Sequence, residues 1–310
     1  MDKHGPRPYS AFSRKLPSAL RRATGAALVL AGLGSACERP GPPPEEAATA
    51  PAACRLEPGA DPSAWQLPSR LTEVSGLAVT PDGNLLAHGD EVGRVFEIDP
   101  GSRKVAREIR LQGTPRDDFE GIAVTPQGIV LMTSAGRLYV LGAERERDSA
   151  SGTSVVEYRR LDTGLGALCE LEGLAYDSRA KVLLLPCKTP RRSQDRAAVV
   201  VFRWSLESEG AAQPPRYVIP SSVVHNLFRV ARFRATAAEY DRETGHVLVL
   251  SSEPAGVLEL GPEGHAVRGV RFSPRYHPRA EGLALLGNQL IIGDEGASRG
   301  GHLTAYPCAP

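Results

Sequence analysis

Five copies of one short motif dictate the architecture of this chain: Val74-Ser-Gly-Leu-Ala-Val79, Phe119-Glu-Gly-Ile-Ala-Val124, Leu171-Glu-Gly-Leu-Ala-Tyr176, Ala235-Thr-Ala-Ala-Glu-Tyr240 and Ala280-Glu-Gly-Leu-Ala-Leu285. Their glycine positions are 76, 121, 173, 237 (alanine there) and 282, spaced by 45, 52, 64 and 45 residues. Each copy runs into a turn signal, as in Pro81-Asp-Gly-Asn84, Pro126-Gln-Gly128 and Asp241-Arg-Glu-Thr-Gly245. A second apolar run follows, such as Val182-Leu-Leu-Leu185 or Val247-Leu-Val-Leu250. A third alternates, as in Arg94-Val-Phe-Glu-Ile-Asp99, and most units add a fourth, such as Lys104-Val-Ala-Arg-Glu-Ile109. Four antiparallel strands at this period make a propeller blade, so the fold expected is an all-β β-propeller.

The last unit reaches only a third strand, His302-Leu-Thr-Ala-Tyr306. Its missing fourth strand is assigned to the N-terminal Ala64-Trp-Gln-Leu67, which would close the ring. The long spacing before Ala237 contains Val223-Val-His-Asn-Leu-Phe-Arg-Val230, whose apolar residues fall at helical spacing. It reads as an insertion or as a degenerate sixth blade; five blades is the preferred count.

The segments before the repeats are an address and a leash. Residues 1–36 carry six basic groups and one acid, then an apolar run, Ala23 to Ala36, too short for a bilayer-spanning helix and suited to a signal peptide. The run ends in Leu33-Gly-Ser-Ala-Cys37, which resembles a bacterial lipobox and implies lipidation of Cys37. Ordinary secretion with Cys37 as a plain thiol is the alternative. Residues 37–53, rich in Pro, Ala and Glu, read as an extended tether, and the propeller domain spans 54–310. The expected location is the cell envelope, lipid-anchored to a membrane, with the propeller outside the cytoplasm.

Without the leader, 31 basic residues face 35 acidic ones, which argues against nucleic acid as a partner. Setting Cys37 aside leaves four cysteines, an even number that suits disulfides in an exported chain. Of three pairings, Cys54–Cys308 and Cys169–Cys187 are preferred, because the first joins the two ends of the domain and the second flanks one strand pair. Buried free thiols are the alternative.

The repeats are similar to those of the SdiA-regulated proteins, bacterial envelope β-propellers. The resemblance runs from about Leu71 to Tyr306 and rests on Glu73-Val-Ser-Gly-Leu-Ala78 through Asp90-Glu91, Asp118-Phe-Glu-Gly-Ile122, Leu171-Glu-Gly-Leu-Ala-Tyr-Asp177, Leu250-Ser-Ser-Glu253 and Ala280-Glu-Gly-Leu283 with Asp294-Glu295. It implies kinship in fold with phytase-like and lactonase-like propellers, in a family whose members mostly lack an established activity. Thr236-Ala237 departs from the usual Ser-Gly, and the loop Arg191-Arg192-Ser-Gln-Asp-Arg196 is unusual.

Strand direction places one set of turns at one face of such a wheel. The residues before the repeat glycines, Ser75, Glu120, Glu172, Thr236 and Glu281, should ring the channel, with Asp90, Glu91, Glu253, Asp294 and Glu295 around the same mouth. Carboxylates gathered in a partly dry funnel must bind a cation, raise their proton affinity, or engage backbone N–H groups. An all-oxygen set suits Ca²⁺ or Mg²⁺, held by Glu120, Glu172 and Glu281. The competing reading is that these glutamates tie neighbouring blades by hydrogen bonds. Lys188, Arg191 and Arg192 should overhang the same face, as an anion-binding loop or as a solvated one. No nucleophile elbow, P-loop, zinc-protease or strict EF-hand motif is present, and the scattered histidines read as surface or turn residues. Two functions follow: binding of a small-molecule or protein ligand at the central face, or metal-dependent hydrolysis of a phosphate ester or lactone, with a carboxylate such as Asp294 as general base.

Overall fold

A computed structural model describes residues 54–56, 62–148, 150–191, 198–296 and 300–309. The leader, Cys37 and the tether lie outside the described residues, as does Arg192.

The chain is all-β. Two short strands, β1 (Arg55–Leu56) and β2 (Ser63–Gln66), precede the repeats. The first unit is β3 (Gly76–Val79), β4 (Leu85–His88), β5 (Arg94–Asp99) and β6 (Lys104–Leu111). The second is β7 (Phe119–Thr125), β8 (Gly128–Thr133), β9 (Arg137–Asp148) and β10 (Thr153–Asp162). In the third, the first strand is split into β11 (Cys169–Leu171) and β12 (Ala175–Asp177), followed by β13 (Val182–Pro190), β14 (Ala198–Ser205) and β15 (Gly210–Pro220). The fourth is β16 (Arg234–Tyr240), β17 (Val247–Glu253), β18 (Ala255–Leu260) and β19 (Ala266–Arg271). The last has β20 (Ala280–Leu286), β21 (Gln289–Asp294) and β22 (His302–Ala309).

Within each unit successive strands pair antiparallel, and β2 joins β22 as the fourth strand of the last unit, with Trp65 opposite Leu303. The first strands of successive units touch one another, and β20 touches β3, so they form a closed ring. The first two units also fuse at the rim, where β6 and β10 pair in parallel.

The core is divided accordingly. Five apolar clusters each fill the wedge between two neighbouring units, including the wedge between the last unit and the first. A strand such as Val182-Leu-Leu-Leu185 is buried along its whole length because both faces of a blade are covered. Burying each such side chain contributes roughly 1.5–3 kcal/mol.

The long spacing between the third and fourth repeats holds a helix, α1 (Ser221–Phe228), as the apolar spacing indicates. Val224 and Phe228, one turn apart, face the core, and the Phe228 ring occupies the space that a Cβ on Gly269 would need, 2.8 Å away. Both expected disulfides are present: Cys54–Cys308, whose partners are 254 positions apart in sequence, and Cys169–Cys187. Among the described residues no helix is long and apolar enough to cross a membrane.

The histidines correct one expectation. His88, His246 and His277 are buried rather than on the surface. His246 meets Glu259 at 2.6 Å, and burial pulls the His88 imidazole down to about 4. The His88 ring meets the carbonyl of the next residue, Gly89, and Glu259 lies on the strand paired with the one that His246 leads into.

Candidate functional site

The residue before each repeat glycine is set apart from its strand for a local reason. Along β7 the register steps from Phe119 opposite Thr133 to Gly121 opposite Met132, leaving Glu120 without a cross-strand partner. The same bulge leaves Thr236 unpaired on β16 and Glu281 unpaired on β20. A bulge of this kind bends the strand and re-aims one side chain. In the third unit the strand breaks outright at Glu172-Gly173-Leu174. Gly173 has φ +87°, and a Cβ there would sit 2.5 Å from the Ala237 Cα, so the first strands of the third and fourth units approach as only glycine permits. Its N–H donates to the Glu120 carbonyl at 2.6 Å, stitching two ring positions together through the backbone.

These bulges bring the three ring glutamates into mutual range, and each raises its hold on a proton. Burial, reinforced by the Glu172 charge, pushes the Glu120 carboxyl up to about 9. Burial, with Glu172 and Glu295, lifts Glu281 to about 8. Burial also lifts Glu172 to about 7 against the opposing pull of Lys188. Glu172 is 1% exposed, and its only ionic partner among the described residues is the Lys188 ammonium arriving from β13. Burial works against the Lys188 charge, yet Glu172, Glu120 and Glu281 together hold its proton affinity above the ordinary value.

The remaining ring members are structural. Thr236 is buried and its hydroxyl donates to the Ala280 carbonyl at 2.6 Å; the buried Ser75 donates its N–H to His88 O at 3.0 Å. Around the rim, Glu91 pairs with Arg116 at 3.2 Å and Glu295 with Arg279 at 3.0 Å. Glu253 is exposed and faces Arg234 at 3.7 Å. Asp90 shares a hydrogen bond with Glu73, which raises the Glu73 carboxyl.

Asp294 departs from its expected place at the mouth. It is fully buried, 2.7 Å from His277 Nδ1, while His277 Nε2 lies 2.6 Å from the Tyr306 hydroxyl. With Phe272 packed against both rings, this chain of groups belongs to the wall between units and leaves Asp294 out of reach of a bound molecule. Arg191 is exposed, and its Nε donates to the Gly166 carbonyl at 2.8 Å.

For a divalent ion the donor chemistry is suitable but the arrangement is not. Among the described residues no three carboxylate, histidine or cysteine side chains converge on one point, and Lys188 stands beside the most buried carboxylate. Lys188 beside Glu172 is the feature that sequence reasoning misses: it lies within β13, which runs on to Pro190, rather than in an overhanging loop.

Beside Lys188 a cavity of about 420 Å³ opens between the third and fourth units, lined by Val199, Val224, Phe233, Arg232, Arg234 and Glu253 among others. A second, of about 300 Å³, lies at the other end of the first strands, where the half-buried Glu239 carboxyl accepts from the Tyr240 N–H at 2.9 Å.

A closed ring of first strands, each opening an antiparallel sheet packed against the next, defines a β-propeller. The chain belongs to the SdiA-regulated family, whose pattern it matches over residues 63–291. Solved propeller-like structures are similar in fold. The glutaminyl cyclase of Myxococcus xanthus superposes with a TM-score of 0.52 at 14% identity, covering 80% of this chain and 96% of that one. The PQQ-bound aldose sugar dehydrogenase of Streptomyces coelicolor gives a TM-score of 0.47 at 14% identity, covering 81% and 99%.

Proposed function

We propose that this protein is a five-bladed propeller, lipid-anchored through Cys37 in the cell envelope, that binds a ligand or partner at the channel mouth without catalysing a reaction. The observation that carries the reading is the set of bulge-borne glutamates around Lys188. At neutral pH the high proton affinities of Glu120 and Glu281 leave two carboxyl O–H groups able to donate hydrogen bonds, beside an ammonium and a carboxylate that already neutralise each other. Such a set suits a polar, uncharged group that accepts hydrogen bonds in a half-dry funnel. The basic, apolar leader and the two disulfides support an envelope location.

The test is a thermal-shift screen of small polar molecules, with CaCl₂ and MgCl₂ at millimolar concentration included, on the wild type and on Glu172→Gln and Lys188→Met. Stabilisation by a compound that both variants lose supports binding at the mouth. Hits that neither variant alters would place the binding elsewhere. Metal-dependent turnover of chromogenic phosphate esters or lactones, abolished in Glu172→Gln, would replace this reading with the hydrolase.

A further inference from the structure

The cavity beside the channel has its own chemistry. Its back wall is apolar: Val199 and Val224 are buried and Phe233 is half-buried. Among the described residues its rim carries three cations, Lys188, Arg232 and Arg234, against one carboxylate, Glu253. Lys188 is taken up by Glu172, and Glu253 reaches only Arg234, loosely, at 3.7 Å. Arg232 is exposed and makes no ion pair among the described residues. One arginine and part of a second are therefore uncompensated above an apolar pocket. The volume, about 420 Å³, is that of a small-molecule site. Helix α1 exists to form this wall, because Ser221 and Val224 from its first turns line the cavity while Phe228 anchors it to the fourth unit.

The geometry points to a binding site for a small organic anion with an apolar body, its head group between Arg232 and Arg234 and its body against Val199, Val224 and Phe233. A guanidinium pair holds such a head group in a fixed fork, and the apolar wall rejects fully hydrated anions. The site shares Lys188 and Glu253 with the set around the mouth and stands whether or not the mouth itself binds anything.

Calorimetric titration with three probes tests it: decanoate, decyltrimethylammonium and acetate. Decanoate should bind, the cation of equal length and the head group without a body should each bind at least about tenfold more weakly, and Arg232→Glu should weaken decanoate by about tenfold or more. Phe233→Ala should weaken decanoate and leave acetate unchanged. Both arginines are exposed, so these substitutions leave the fold intact; Lys104→Glu, on a distant rim strand, is the control for net charge. Absence of decanoate binding, equal binding of the cationic probe, an unchanged affinity in both Arg232→Glu and Arg234→Glu, or an equal loss in Lys104→Glu would each overturn the assignment.

Discussion

Replacing Glu120 by glutamine should change how stability depends on pH while leaving the acid-side stability nearly intact. The Glu120 carboxyl rises from an ordinary 4.5 to about 9 in the folded chain because it is buried beside Glu172. Between those values the folded state holds a proton that the unfolded state has released, so stability falls as pH rises. The contribution is fully present below pH 4.5 and lost as pH passes through 9. Each such proton changes stability by up to about 1.4 kcal/mol per pH unit. From about pH 5.5 to 7.5, Glu120 therefore accounts for up to about 3 kcal/mol, with channel water lowering that figure. Glutamine mimics the protonated carboxyl in shape and in its ability to donate a hydrogen bond. Urea unfolding of both proteins, with disulfides intact, at about pH 5.5, 6.5 and 7.5 should show similar midpoints at the acid end and a flatter fall in the variant. Parallel lines across that range would mean that Glu120 titrates normally, and the half-dry funnel inferred from its burial would be wrong.

Two further outcomes follow from named contacts. Lys188→Met leaves the Glu172 carboxylate buried without its counter-charge, which should cost about 3–5 kcal/mol at alkaline pH and distinctly less once the carboxyl is protonated in acid; an equal loss in the same urea titration at both extremes would refute an electrostatic role. Removing the Cys54–Cys308 bond by serine at both positions frees a loop of 254 residues, worth about 5 kcal/mol in the chain-entropy view. A guanidinium midpoint that barely moves in the double variant would show that strand β2 holds the ring shut unaided.

The repeats were legible because every unit solves the same problem with the same residues. The glycine-centred motif, the turn after it and the second apolar run are local signals, and they place β3, β7, β16 and β20 where the spacing indicates. The closing strand at Ser63–Gln66 was legible by subtraction, since one unit lacked a partner and one segment lacked a unit. Strand direction alone assigns Glu120, Glu172 and Glu281 to one end of their strands, and the three lie close enough to raise one another's proton affinity. What could not be read depends on contacts between residues far apart in sequence. Glu172 sits in a broken strand because Gly173 presses on Ala237, a residue of the next unit. Asp294 turns away from the mouth because His277 supplies a partner that only folding brings near. Lys188 joins the ring through the course of β13, and the cavity depends on a helix whose seat, at Gly256 and Gly269, lies in another unit.

The pairing of β2 with β22 has a temporal consequence for a chain made from its N-terminus. The strand that completes the last sheet is synthesised well before its neighbour, so the wheel cannot shut until β22 has emerged. Until then the molecule is an open fan with an unsatisfied edge, exposed to misassociation. Oxidation of Cys54 with Cys308 then acts as a latch that closes only in a compartment where thiols are oxidised.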